Sequence, residues 1–219
     1  MFRKNILSKY VVFLTLIQVV CSQDFNIARI HYPGGGDWYA DPSSLPNLLG
    51  FVSSETNIKV ESSEYKIKLT DQDLYKHTYL YITGHGNIRF NDEEIGALRK
   101  HLLKGAFLHA DDNYGMNNSF RREMRRVFPN KEWVELPIDH PIFNCYYKFP
   151  NGLPKIHEHD GKPPQGLGLF EGDRLIVFYS YESDLGDGWE DSEVHNNPEA
   201  VRKTALQMGA NIIWFALTQ

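Results

Sequence analysis

Five short stretches of this chain carry side chains capable of chemistry. Asp111-Asp112 directly follows an apolar run, Ala106-Phe-Leu-His-Ala110. Adjacent carboxylates repel one another unless a cation or donors offset the charge, and hard cations such as Mg²⁺ or Ca²⁺ prefer oxygen ligands. The structural alternative is that one of the pair caps the next helix or pairs with Arg121 or Arg125. His85 stands between Gly84 and Gly86 at the end of another apolar run, Tyr79 to Thr83. Small neighbours let a ligand reach its imidazole and the nearby backbone amides; the alternative is a water-exposed turn histidine. In His157-Glu158-His159-Asp160, locally extended chain points His157 and His159 the same way, a usable but incomplete ligand pair for a transition metal. Asp184-Leu-Gly-Asp187-Gly-Trp189-Glu190 sets carboxylates beside an indole. That combination suits sugar recognition by ring stacking and hydroxyl bonding, and reads equally well as an acidic surface loop.

The fifth stretch is Gly34-Gly35-Gly36-Asp37-Trp38-Tyr39. It has the flexibility of a phosphate loop without the G-x-G-x-x-G spacing or the Gly-Lys-Ser/Thr ending, so nucleotide binding is not indicated. The simpler reading is that the glycines turn the backbone and bring Trp38 over a sheet edge. No G-x-S-x-G elbow, no H-E-x-x-H and no cysteine at a strand-to-helix turn occurs, so acyl-enzyme chemistry has no evident nucleophile.

These residues need elements to hold them. Phe25 to Tyr32, Tyr79 to Thr83 and Ala106 to Ala110 read as strands that stop where polar, glycine-flanked residues begin. In open α/β sheets ligands bind outside the carboxyl ends of parallel strands, so the three ends mark one expected site. Ser43-Ser44-Leu45-Pro46 opens a helix with serine as cap. Asn91 and Glu94 form a capping-box pair for a helix carrying Ile95, Leu98, Leu102 and Leu103 and ending at Gly105. Strand, helix and strand from 79 to 110 make a βαβ unit. Ser119 to Val127 is a further helix, its arginines 121, 122, 125 and 126 read as a solvated face. Weak strand candidates lie at Asn57 to Glu61 and Tyr65 to Leu69, with a short helical piece at Asp71 to Tyr75. The proline-broken stretch from about 131 to 165 reads as a loop-rich insertion, followed by a hairpin of Gly166 to Phe170 and Arg174 to Tyr181. Asn197-Pro198 starts a terminal helix, and Gly209 leaves open whether Asn211 to Leu217 continues it or forms a strand.

The chain has 219 residues, 42% hydrophobic and 23% charged, the balance of one globular domain. Arg3, Lys4 and Lys9 precede a 12-residue apolar run, Tyr10 to Cys21. That layout predicts a signal peptide over residues 1–22 and an exported domain over 23–219, periplasmic or extracellular. The run is short for a membrane span, and bulky Val20 argues against lipid attachment at Cys21. Without those 22 residues, 20 Lys+Arg face 28 Asp+Glu, a net charge of −8. Such a chain repels phosphate backbones, so nucleic acid is not an expected partner. Cys145 then stands alone, which excludes an internal disulfide, and its apolar neighbours mark it as a buried inert thiol.

Gly34-Gly-Gly-Asp-Trp-Tyr39, Thr83-Gly-His-Gly86, Ala110-Asp-Asp112, Ser119-Phe-Arg-Arg-Glu123, His140-Pro-Ile142 and Asp187-Gly-Trp-Glu190 together resemble the bacterial family called domain of unknown function 4159, over residues 25 to 217. The resemblance implies a relative of the class I glutamine amidotransferase-like fold: a flavodoxin-like, three-layer α/β/α sandwich with a mostly parallel central sheet. It implies no activity. In amidotransferases of that fold a cysteine nucleophile occupies the turn after a central strand; the analogous turn here carries Asp111 and Asp112, and carboxylates cannot do thiolate work. The leading expectation is a binding or accessory domain for a polar ligand, carbohydrate being one candidate, without glutaminase activity. Its site gathers Gly35, Asp37, Trp38, His85, Asp111, Asp112, His157, His159, Asp187, Trp189 and Glu190, with a divalent cation as the one cofactor they suggest. The rival is a metal-assisted hydrolase in which Asp111 or Asp112 holds the ion and His85 or His159 moves protons. A protein-interaction module is the third reading.

Overall fold

The computed structural model describes residues 24–219; the expected signal peptide, with Cys21, lies outside them. Seven strands form one sheet in the order β2-β1-β3-β4-β7-β6-β5. β1 (Ala28–Ile30), β2 (Tyr65–Ile67), β3 (Tyr79–Ile82), β4 (Phe107–Asp111) and β7 (Arg174–Tyr181) run parallel. β6 (Gln165–Glu171) and the two-residue β5 (Val134–Glu135) add an antiparallel edge, and β6 and β7 form the expected hairpin. The fold is therefore mixed α/β with a mostly parallel sheet and six α-helices among the described residues. None of those helices is long and apolar enough to cross a membrane.

The strands are buried on both sides, so alternate residues feed two separate cores. Ala28, Ile30, Leu80, Ile82, Leu108 and Ala110 meet Ile95, Leu98 and Leu102 of α2 (Asp92–Leu103) and Phe120, Met124 and Val127 of α3 (Asn117–Val127). Ile27, Tyr79, Tyr81, Phe107 and Phe178 meet Leu45, Leu48, Leu49 and Val52 of α1 (Ser44–Glu55) and Met208, Ile212 and Ile213 of α6 (Glu199–Thr218).

Local signals set several boundaries. The Asn91 side chain accepts from Glu94 N at 2.9 Å, and the Glu94 carboxylate accepts from Asn91 N at 2.8 Å, so the capping box is present. Ser43 precedes α1 as expected but makes no cap bond; its hydroxyl donates to Glu190 and accepts from Asp191 N. Residues 57–61 form no strand, only a bridge from Val60 to Phe25. The terminal segment is one helix through residue 218. Gly209 sits inside it for a tertiary reason: a Cβ there would lie 2.5 Å from Leu48 Cδ1 and 2.9 Å from Trp189 Cζ2. The arginines of α3 are not simply solvated. Arg122 and Arg126 clamp fully buried Glu123 and reach the carbonyls of Ile88 and Phe90, while Arg121 lies over Trp133, Tyr179 and Tyr181. Residues 144–149 of the expected insertion are pinned to α6, where the Asn211 amide bonds both backbone groups of Tyr147.

Candidate functional site

The carboxyl ends of β1, β3, β4 and β7 open onto one edge, as the strand-end pattern predicts. The residues expected there divide into groups with different environments. In the first, the Asp37 carboxylate accepts from His85 N and lies 3.0 Å from His85 Nδ1, with both side chains partly exposed. The glycine turn before Asp37 packs on the loop after β3, with Gly36 N bonded to Asn87 O at 3.0 Å. Gly35 itself faces open space. Trp38 stacks on His31 at 4.2 Å, a packing role.

Asp111 and Asp112 are adjacent but do not share a site, because successive strand residues face opposite sides. Asp111 accepts from Ser180 Oγ, Leu185 N (3.2 Å), Gly186 N (2.6 Å) and Tyr81 OH (3.4 Å). Asp112 accepts instead from Glu182 N on the face that carries Tyr179. Neither caps α3. Burial pushes Asp111 up to about 7, against the pull of Ser180 and the two amides. Asp111 thus anchors α4 (Leu185–Trp189) rather than offering a free ligand, which corrects the expectation of a paired-carboxylate metal site.

Trp189 corrects the sugar-stacking expectation. Its indole is fully buried, Nε1 donates to Ala205 O at 2.8 Å, and its ring lies near Tyr81 and His109. No face is free for a ligand. The cause is α4 itself, a single turn that rolls the indole inward under α6 while leaving Asp187 at the mouth.

The second group is where titratable side chains converge. His157 Nδ1 lies 2.8 Å from Asp187 Oδ2 and 3.6 Å from Asp184 Oδ2. His159 Nε2 lies 2.9 Å from Asp184 Oδ2. His195, on α5 (Ser192–His195), lies 3.2 Å from Asp187 Oδ1 and 2.9 Å from Glu190 Oε2. Ligand atoms of His157, His159 and Asp184 all fall within 4.8 Å of one another, as do those of Asp41, Asp187 and His195. Sequence reasoning named the 157/159 pair, Asp187 and Glu190, and quoted Asp184 in its motif, but it missed Asp41, Asn113 and His195.

Scaffolding explains the convergence. Arg29 of β1, itself buried, donates to the carbonyls of Ala40 (2.6 Å) and Asp41 (3.1 Å) and so fixes that loop. Asn113 donates to Asp41 Oδ2 at 2.8 Å, and Thr83 donates to Asn113 Oδ1 and Asp111 O, tying the ends of β3 and β4 together. Asp41, Glu182 and Asp184 adopt positive φ of 54°, 57° and 58°, strained conformations for residues other than glycine. Backbone strain concentrated at one edge often accompanies a binding or reaction centre. Burial and the neighbouring Asp187 raise Asp41 to about 6, and the same two causes raise Asp184 strongly.

Gly186 lets the carboxylates approach α4. A Cβ there would lie 2.7 Å from Asp41 Oδ2 and 3.1 Å from Asp111 Oδ2. Gly186→Ala should therefore cost about 1–3 kcal/mol by overpacking. Urea unfolding measures it, and an unchanged midpoint would show that the carboxylates yield freely. A cavity of about 540 Å³ is lined by Phe25, Asn26, Lys76 and Thr78 at the amino ends of the strands, away from this chemistry.

No curated protein matches the sequence. A family of proteins does, over residues 26–217, nearly the full described length, and it has no assigned activity. The chain belongs to that family, described as a domain of unknown function (DUF4159).

Proposed function

We propose that this chain is a metal-assisted hydrolase whose ion is held by His157, His159 and Asp184, not by Asp111, Asp112 and His85. One observation carries the reading. The Asp184 side chain is 3% exposed, its Oδ1 has no hydrogen-bond partner, and its Oδ2 faces two histidines. A buried carboxylate oxygen left unbonded is costly unless something charged occupies the space beside it. Three protein ligands with His157 half exposed leave coordination positions open to water and substrate, the arrangement of catalytic rather than closed structural sites. An ion held there would acidify its bound water and so supply the nucleophile that the sequence lacks.

Three further parts of the proposal have separate support. The parallel strands follow the order 2-1-3-4-7 with helices on both faces, which supports a flavodoxin-like three-layer sandwich related to class I glutamine amidotransferases. The absence of glutaminase chemistry is supported by Cys145, which donates to Asn211 O of α6 and whose thiol burial pushes up. Export rests on the leader-like pattern of residues 1–22.

The test is metal analysis of the purified chain, joined to turnover of p-nitrophenyl phosphate and p-nitrophenyl acetate before and after chelation. Turnover should vanish on stripping and return with Zn²⁺ or Mn²⁺, and His159→Ala should weaken ion affinity at least about tenfold. A metal-loaded protein that binds such compounds without turning them over would instead be a polar-ligand-binding domain. Protein with no bound metal defeats both.

A further inference from the structure

We infer that this mouth holds two divalent ions rather than one, with the Asp187 carboxylate bridging them; the inference rests on the metal-binding reading above. The two oxygens of Asp187 face different histidines, Oδ2 toward His157 and Oδ1 toward His195. On one side stand His157 Nδ1, His159 Nε2 and Asp184 Oδ2, which Asp187 Oδ2 approaches through His157. On the other stand His195 Nε2, Asp41 and Glu190 Oε2, joined by Asp187 Oδ1. The His157 and His195 rings are 6.1 Å apart between centroids, a spacing that suits two ions about 3.5–4 Å from each other, as in two-metal hydrolytic sites.

The lining is rich in buried acids. Asp41, Asp184, Asp187 and Glu190 are all at least nine-tenths buried. Among the described residues no lysine or arginine forms an ion pair with any of their carboxylates. The nearby cations bond elsewhere: Lys155 to Glu182, Arg202 to the backbone carbonyl of Glu190, and Arg29 to Glu64 and the carbonyls of Ala40 and Asp41. Four buried carboxylates facing three histidines line the mouth with the donor set that divalent cations take.

A network of ordinary histidine–carboxylate hydrogen bonds accounts for less. His159 Nε2, on a side chain only 10% exposed, lies 2.9 Å from Asp184 Oδ2 without hydrogen-bond alignment, and Asp184 Oδ1 has no well-aligned partner. Buried polar atoms in contact yet unbonded fit two ligands of a common ion. Mixed imidazole and carboxylate donors favour zinc or manganese over magnesium or calcium.

The experiment uses the full chain, stripped by chelator and titrated with Zn²⁺ by calorimetry, and separately loaded with Mn²⁺ for electron paramagnetic resonance. Two equivalents per chain and an exchange-coupled Mn²⁺ spectrum are expected. His195 is 27% exposed on a short turn, so replacing it spares the core. His195→Ala should lose one equivalent and leave an isolated six-line Mn²⁺ signal, and His195→Gln serves as the second variant should alanine disturb the turn. One equivalent in the wild type overturns the second ion and leaves the single-ion reading standing, and two without exchange coupling overturn the bridge. No bound ion overturns both.

Discussion

Trp189→Ala should destabilise the fold rather than remove a ligand contact. The indole is fully buried between α6 and the Tyr81–His109 face of the sheet, and Gly209 of α6 exists without a Cβ because that ring is there. Large-to-small substitution of a buried tryptophan costs about 3–5 kcal/mol, and loss of the Nε1 bond leaves the Ala205 carbonyl short of one donor. For a chain of this size each kcal/mol moves the midpoint by about 2–4 °C, so a fall of roughly 10 °C is expected in calorimetry. Trp38→Ala provides the contrast. Trp38 is partly buried and stacked on His31, and its loss should cost about 1 kcal/mol. If Trp189→Ala kept the wild-type midpoint but lost affinity for a sugar, the burial described here would be wrong and the stacking reading would return.

That contrast shows which kinds of information the sequence carries. The capping box of α2 is legible because both partners lie within four residues, and its geometry follows from local backbone alone. The polar ends of β3 and β4 are legible because a short apolar run has to stop somewhere, and neighbouring parallel strands bring those ends together. Asp-Gly-Trp-Glu is misread because composition describes a loop, whereas the single turn of α4 decides which of its side chains face inward. Asp111-Asp112 looks like a pair on paper, and the two-residue period of a strand separates it. Asp41 and His195 are 154 positions apart, and nothing local announces that Asp187 stands between them. The positive φ of Asp41 and Asp184, which aims their side chains, has no sequence signal in residues other than glycine. Even Gly209, whose ambiguity concerned the end of the chain, is explained only by Leu48 and Trp189 packed against it.

The second large effect concerns Asp111, and its size depends on pH. Asp111→Ala leaves the amides of Leu185 and Gly186 without their acceptor in a buried site, at about 1–3 kcal/mol each. Ser180 escapes that penalty because its hydroxyl can also donate to Ala110 O at 3.1 Å. The same hydroxyl allows Asp111 to be protonated in the fold, accepting from the acid while donating to Ala110. Burial raises Asp111 to about 7, above the usual carboxylate value near 4. The folded chain therefore holds this proton more tightly than the unfolded chain does. The stability that the proton provides is complete below about pH 4 and lost as pH rises through about 7, by about 4 kcal/mol at most. Wild type should accordingly lose stability from pH 5 to pH 8 in chelator, and Asp111→Ala should lack that part of the slope. The substitution should then cost most near pH 5 and least near pH 8, as read from urea unfolding at both ends and at pH 6.5. A cost that instead grows with pH would mean that the donors around Asp111 outweigh its desolvation, and that the carboxylate is charged in the fold throughout.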